Sequence, residues 1–334
     1  MKKARAWADA SLLIVTLIWG SAFVLVKDIV RTVPPIVLVA TRFLAATVLL
    51  GAVMAPRLRF INRRLLAAGS LIGVILFSGF ILQTVGIEYT SASKAAFITA
   101  LSVVMVPLFA ALVLKQKPTA LSLIGAGLAM LGLALLTLHP GPGAGAGGHA
   151  VGGLLVNAGD IIIFMGAIAF ALHIVFVGRY APSLDVPLLV LIQMATVAII
   201  SWAEIAIEAV VAAIMWDSVQ GLMRGFDRGL NLPDLPCRLA GWWAMDFRSV
   251  TPRTWVAILF LGVFGTALAF FIQNAAQRFT TPTRVAIIFS TEPVFTAIFA
   301  RVFFGEALGM RGVLGSILIL AGTIVAELPA RGDG

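Results

Sequence analysis

The feature that most constrains this chain is an alternation of long apolar runs with short polar connections. A helix crosses the hydrocarbon core of a bilayer with about 20 apolar residues. Ten stretches approach that length: 11–26, 34–54, 65–86, 93–114, 120–138, 154–177, 187–214, 253–276, 282–304 and 312–326. Hydrophobic residues make up 60% of the 334 and charged ones 12%, against about 25% charged in a soluble domain. Mean hydropathy is +1.05. A water-facing surface cannot be built from this composition, so the expected fold class is an all-α integral membrane protein with ten transmembrane helices.

Charge in the connections orients the spans. With the N-terminus cytoplasmic, the inner connections carry thirteen basic residues, among them Lys2, Lys3, Arg5, Arg57, Arg63, Lys115, Arg179 and Arg284. The short outer ones carry four: Lys27, Arg31, Lys94 and Arg311. The positive-inside bias then places both termini in the cytoplasm of a multi-pass cell (inner or plasma) membrane protein. The net charge of +9 is accounted for by this bias, and no nucleic-acid partner is expected. The first 22 residues have the basic, apolar, small order of a signal peptide, but the apolar run continues to Val26 and is read as an uncleaved span.

The chain repeats itself. Shifted by 190 residues, Phe80 falls on Phe270, Gln83 on Gln273, Gly125 on Gly315, Gly132 on Gly322 and Lys94 on Arg284. Shifted by 151, Val24 falls on Val175, Leu38 on Leu189 and Arg42 on Gln193. The expected units are a five-helix repeat over 1–140, a Gly-rich linker over 141–153, and a second five-helix repeat over 154–334. The last carries an extracytoplasmic insertion over 216–250, lying near the membrane surface. Five is odd, so the second copy enters from the opposite side. Inverted repeats around a midplane site are a mark of secondary transporters.

Several stretches carry a family resemblance: "LIWGSAFVLVK", "RFLAATVLL", "GIEYTSASKAAFITALSVVMVPLFAALVLKQKP" and "TEPVFTAIFARVFFGEALGMRGVLGSILILAG". In this order they resemble the drug/metabolite transporter superfamily, EamA-type. The resemblance implies two inverted five-helix repeats around a central cavity, lined by the first, third and fourth helices of each half. It implies efflux or exchange of a small metabolite such as an amino acid, a nucleobase or a drug. One departure is visible. Gly305-Glu306 follows the ninth span, but Lys115-Gln116 stands where the fourth should be followed by a similar acid.

Polar groups inside the spans are the site candidates. For the substrate cavity these are Trp19, Ser21, Gln83, Ser102, His173, Gln273, Asn274 and Glu292. The two glutamines occupy equivalent repeat positions, and their amides suit zwitterionic or heterocyclic solutes. The intramembrane charge and gating candidates are Arg42, Asp160, Glu292, Pro293 and Pro107. Arg42 and Asp160 lie at similar depth and are expected to pair, with lone outward snorkelling of Arg42 as the alternative. Glu292-Pro293 interrupts the ninth span; Pro107 is expected to break the fourth. Glu292 and His173 are the sites through which protons would act as coupling ion. The glycines of the fifth and tenth spans (Gly125, Gly127, Gly132, Gly312, Gly315, Gly322) and the Gly69–Gly73 pair are read as helix-packing positions, with a monomer or weak homodimer expected.

Enzymatic activity is not expected. The nearest approaches to intramembrane protease motifs, "LFSG" at 76–79 and "NAGD" at 157–160, each lack a required residue. One cysteine, Cys237, and three scattered histidines give no metal ligand set, and no phosphate-binding loop is present. Neither metal nor cofactor is expected. The reading is a secondary-active carrier, with a channel-like facilitator or, less so, an intramembrane enzyme as the alternative.

Overall fold

The structure is a computed structural model that describes residues 2–90, 92–115, 118–137, 149–151, 154–229, 250–304 and 310–327. In chain order the helices are α1 (Lys2–Ile29), α2 (Pro35–Met54), α3 (Arg63–Glu88), α4 (Ala92–Ala100), α5 (Ser102–Leu114), α6 (Ala120–Thr137), α7 (Ala158–Tyr180), α8 (Val186–Gly229), α9 (Pro252–Gly262), α10 (Ala269–Ala276), α11 (Pro282–Phe289), α12 (Glu292–Phe304) and α13 (Met310–Glu327). Among the described residues, eight helices are long and apolar enough to cross a membrane, and two shorter apolar helices lie at 120–132 and 313–325. The fold is that of an all-α membrane protein. Its one departure among the described residues is a small antiparallel ribbon of β1 (His149–Val151) with β2 (Leu154–Val156). The sixth span therefore begins at Ala158 rather than 154. Asn157 ends the ribbon and starts the helix through a capping box with Asp160.

Large apolar side chains face outward all round the bundle: Val48, Leu112, Ile199, Val302 and Ile324 are each more than 60% exposed. In water such a surface would aggregate; in lipid it is matched. Inside, close helix contacts rest on glycine. An added Cβ at Gly132 of α6 would stand 2.5 Å from the Gly315 carbonyl oxygen of α13, and one at Gly322 would stand 2.5 Å from that of Gly125. Gly86 and Gly159 join α3 to α7 in the same reciprocal way. Gly69 and Gly73 abut Ile192 and Thr196 of α8 within this chain. Gly127 is the exception to the packing expectation, with open space beside it.

Two spans are broken in mid-membrane. α4 stops at Ala100 and α5 starts at Ser102; α11 stops at Phe289 and α12 starts at Glu292. The joints close with short i→i−3 bonds, Val104 N–H to Leu101 O (3.1 Å) and Thr291 N–H to Ile288 O (3.0 Å). Pro293 thus sits in the first turn of a new helix, where a missing N–H costs little. Pro107 does not mark its break: α5 runs on through it, and the joint lies before Ser102. A third irregularity is a π turn, Val263–Leu268, between α9 and α10. Gly73 abuts the Gln193 carbonyl at 3.0 Å, and Gly262 abuts the Arg42 carbonyl at the same distance. Gly73 is seven residues before Phe80 and Gly262 eight before Phe270, so the π turn absorbs one extra residue.

The insertion differs from expectation at its start. α8 does not end near Ile214 but continues to Gly229, about 66 Å at 1.5 Å per residue, twice the bilayer core. Residues 230–249 lie outside the described residues, as do most of the 141–153 linker, Gln116, Cys237 and Gly305-Glu306.

Two opposite faces can be identified. On one, Lys27 of α1 donates to Ile87 O (2.6 Å) and Glu88 O (3.1 Å), and Asn157 at the start of α7 donates to Tyr89 O (2.9 Å). On the other, Arg179 at the end of α7 donates to Val113 O near the end of α5 (3.2 Å). They are called below the Tyr89 face and the Val113 face.

Candidate functional site

A central cavity encloses about 740 Å³ of atom-free space, open solvent included. α1, α3, the α4–α5 joint, α7, α10 and the α11–α12 joint line it, with Arg42 from α2. Its walls are largely aromatic: Trp19, Phe23, Phe80, Phe170, Phe270 and Phe289. The rings lock edge to face; Trp19 meets Phe289 at 4.9 Å and Phe80 meets Phe270 at 5.8 Å.

Of the cavity candidates, Trp19, Gln83, Ser102, His173, Gln273 and Glu292 line this space, and Ser21 and Asn274 do not. Ser21 is two residues past Trp19, about 200° around the helix, and its hydroxyl donates to Ile18 O at 2.7 Å. Asn274 follows Gln273 by about 100° and is fully buried behind the wall. Its Nδ2 donates to Phe270 O (2.8 Å) and its Oδ1 accepts from Gln193 Nε2 (3.0 Å).

The amide orientations follow from these bonds. A carbonyl only accepts, so Phe270 O fixes Asn274, which fixes Gln193 with its Oε1 toward His173 Nε2 at 3.1 Å. His173 therefore carries its proton on Nε2. A second chain begins at Ile174 O, which accepts from Gln277 Nε2 (2.8 Å); Gln277 Oε1 then accepts from Gln273 Nε2 (3.3 Å). Gln273 is left with its Oε1 buried and without a hydrogen bond from the described residues. Gln83 is satisfied on one side, donating to Thr99 Oγ1 at 3.0 Å.

The charged candidates separate. Arg42 and Asp160 do not pair. Asp160 is held near the Tyr89 face by Lys94 (2.6 Å) and by the Asn157 N–H of its own capping box (2.8 Å). Arg42 turns inward: Nε donates to Thr266 Oγ1 (3.0 Å), Nη2 approaches Gly265 O (3.5 Å), and its guanidinium carbon sits 4.8 Å from the Phe80 ring centroid. It is only 3% exposed. Among the described residues no carboxylate lies within ion-pair distance of it. Snorkelling is excluded by the same contacts. Glu292 is also buried, at the first position of α12, where the helix dipole favours a negative group. Its backbone oxygen accepts from Thr296.

Sequence reasoning found Trp19 but missed the phenylalanines of the walls and the second tier of Gln193, Gln277 and Thr266. The signal for Phe80 and Phe270 was present. Each lies three residues before a paired glutamine, hence on the same helix face. No group of metal-ligating residues occurs among the described residues.

The model of the EamA-like transporter family matches residues 6–138 and 236–327. The chain is 27% identical over 97% of its length, and 87% of the relative's, to an uncharacterized transporter of Archaeoglobus fulgidus. It is 23% identical over 92% of its length, and 89% of the relative's, to the uncharacterized transporter YyaM of Bacillus subtilis. A solved crystal structure superposes with a TM-score of 0.67 at 17% identity, covering 98% of both chains, a likeness of fold. With a bundle of apolar spans around a polar-studded cavity, the chain belongs to the EamA-like transporter family.

Proposed function

We propose that this protein is a secondary carrier that exports or exchanges a small organic solute across a cell membrane by alternating access. The observation that carries the reading is the cavity: aromatic walls studded with buried polar groups, among them the Arg42 guanidinium, with no carboxylate in ion-pair distance among the described residues, and Gln273 Oε1, to which none of them donates. A solute with an apolar body and polar ends completes these groups. The reciprocal contacts Gly132–Gly315 and Gly322–Gly125 support two inverted halves, residues 1–140 and 154–334, that rock about the cavity. Basic residues crowd the Val113 face, which supports its assignment to the cytoplasm.

The test is flux in liposomes holding the purified protein, run over a panel of amino acids, nucleobases and cationic drugs with and without a proton gradient. Saturable flux of at least one solute is expected. An ohmic current with no saturation would support a channel and overturn the carrier reading.

A further inference from the structure

We infer that Arg42 is the anchor for a carboxylate on the solute, and that the π turn is its mount. The inference rests on the cavity being the solute site. A guanidinium has five N–H donors; among the described residues Arg42 has two oxygen partners, both from the π turn. Thr266 is fully buried and donates to Leu261 O at 2.8 Å while accepting from Arg42 Nε, so its hydroxyl is fixed from both sides. Trp19 Nε1 also donates to Gly265 O, at 2.9 Å. One inserted residue thus presents two oxygens that aim the guanidinium along the Phe80 ring into the cavity. The repeat-related residue, Gln193, is closed off by His173 and Asn274. The two halves therefore differ at this position: one holds a finished neutral network, the other a buried cation with unused donors. Burying a cation without a counter-ion is unfavourable, and a carboxylate fits the planar fork. Gln273 Oε1 would accept from a donor elsewhere on the same solute.

Matched probes test this in purified protein: phenylacetate against phenylacetamide, indole-3-acetate against indole-3-acetamide, and butyrate against butyramide, read by thermal shift. The carboxylates are expected to stabilise the chain and the amides not. Arg42→Gln should weaken carboxylate binding about tenfold or more, the scale of one lost charged hydrogen bond. Thr266→Val keeps the charge and loosens its mount, and should weaken binding about threefold or more by the same reasoning. It gives an answer even where Arg42→Gln does not fold. A wild-type chain stabilised no more by carboxylates than by amides, or a folded Arg42→Gln or Thr266→Val variant that binds as wild type, overturns the inference. Carboxylate binding without saturable liposome flux would instead sink the carrier reading and leave Arg42 standing.

A separate observation carries a second inference. Two partly buried ion pairs lie at opposite faces: Lys94–Asp160 (2.6 Å) at the Tyr89 face, joining α4 to α7, and Arg284–Asp9 (2.8 Å) at the Val113 face, joining α11 to α1. Asp9 and Asp160 are 151 residues apart and Lys94 and Arg284 are 190 apart. These are the two offsets of the repeat, so one pair is the image of the other. We propose that they are the latches of the two faces, each parting as that face opens. They are unequal. Arg284 grips both Asp9 oxygens (3.2 and 2.8 Å), whereas Asp160 Oδ1 is buried and has no hydrogen-bond partner among the described residues.

Hydrogen exchange tests this. Asp160→Asn should raise exchange severalfold in the first turns of α4 and α7 and lower it in those of α1 and α11; Asp9→Asn should do the reverse. The charge-swapped pair Lys94→Asp with Asp160→Lys should restore the wild-type pattern. Exchange that rises only at the mutated face, with no fall at the other, shows a merely structural pair and overturns the latch.

Discussion

At the scale of the residue, the site is decided by which polar groups the protein itself satisfies. His173 is satisfied, because Gln193 is held in one orientation by Asn274 and the Phe270 carbonyl. Gln193→Leu leaves the His173 N–H and the Asn274 oxygen buried without partners. Denaturation should register a loss of about 3 kcal/mol, since each such group costs about 1–3. Glu292 differs: no side chain holds it within ion-pair distance among the described residues. Glu292→Gln should therefore express and melt as wild type within about 1 kcal/mol, while solute flux in liposomes falls about tenfold or more. A variant that fails to fold would assign Glu292 to structure. The sequence showed Gln83, Gln273, Glu292 and Arg42 as polar groups in apolar surroundings. It could not show that Ser21 and Asn274 face away, because neighbouring residues on a helix diverge by about 100° per step and nothing local marks the inward face.

At the scale of the element, ten spans were legible because bilayer thickness sets their length. Their interruptions were only half legible. Glu292-Pro293 announced a joint, and the joint proved to be a helix start rather than a kink. The joint before Ser102 has no proline beside it, and Pro107, the residue that pointed to a break, lies inside α5. The π turn is invisible locally and emerges only when the distances from Gly73 to Phe80 and from Gly262 to Phe270 are compared. α8 outran its expected end because the 216–229 stretch, although mixed in charge, contains no proline to stop a helix. Glycine packing gives a paired prediction. Gly132→Val places a side chain against the Gly315 carbonyl, 2.5 Å from the new Cβ, whereas Gly127→Val enters open space. Thermal unfolding should show a loss of about 1–3 kcal/mol, the cost of overpacking, for the first and about none for the second.

At the scale of the whole molecule, the positions related by the sequence repeat are unequal. Repeat-related positions hold a closed amide at Gln193 and an open cation at Arg42. Repeat-related ion pairs seal opposite faces with different grips. In the proposed cycle the cavity opens to one side at a time. The direct measurement places a single reporter, Ser102→Cys, in the cavity wall of a chain whose one cysteine, Cys237, is replaced by serine. Oriented vesicles are then treated with a membrane-impermeant thiol reagent from either side. Labelling is predicted from both sides, with Asp9→Asn raising the rate from the Val113 face and lowering it from the Tyr89 face. Rates that rise together on both sides, or labelling from one side alone in every variant, would contradict alternating access.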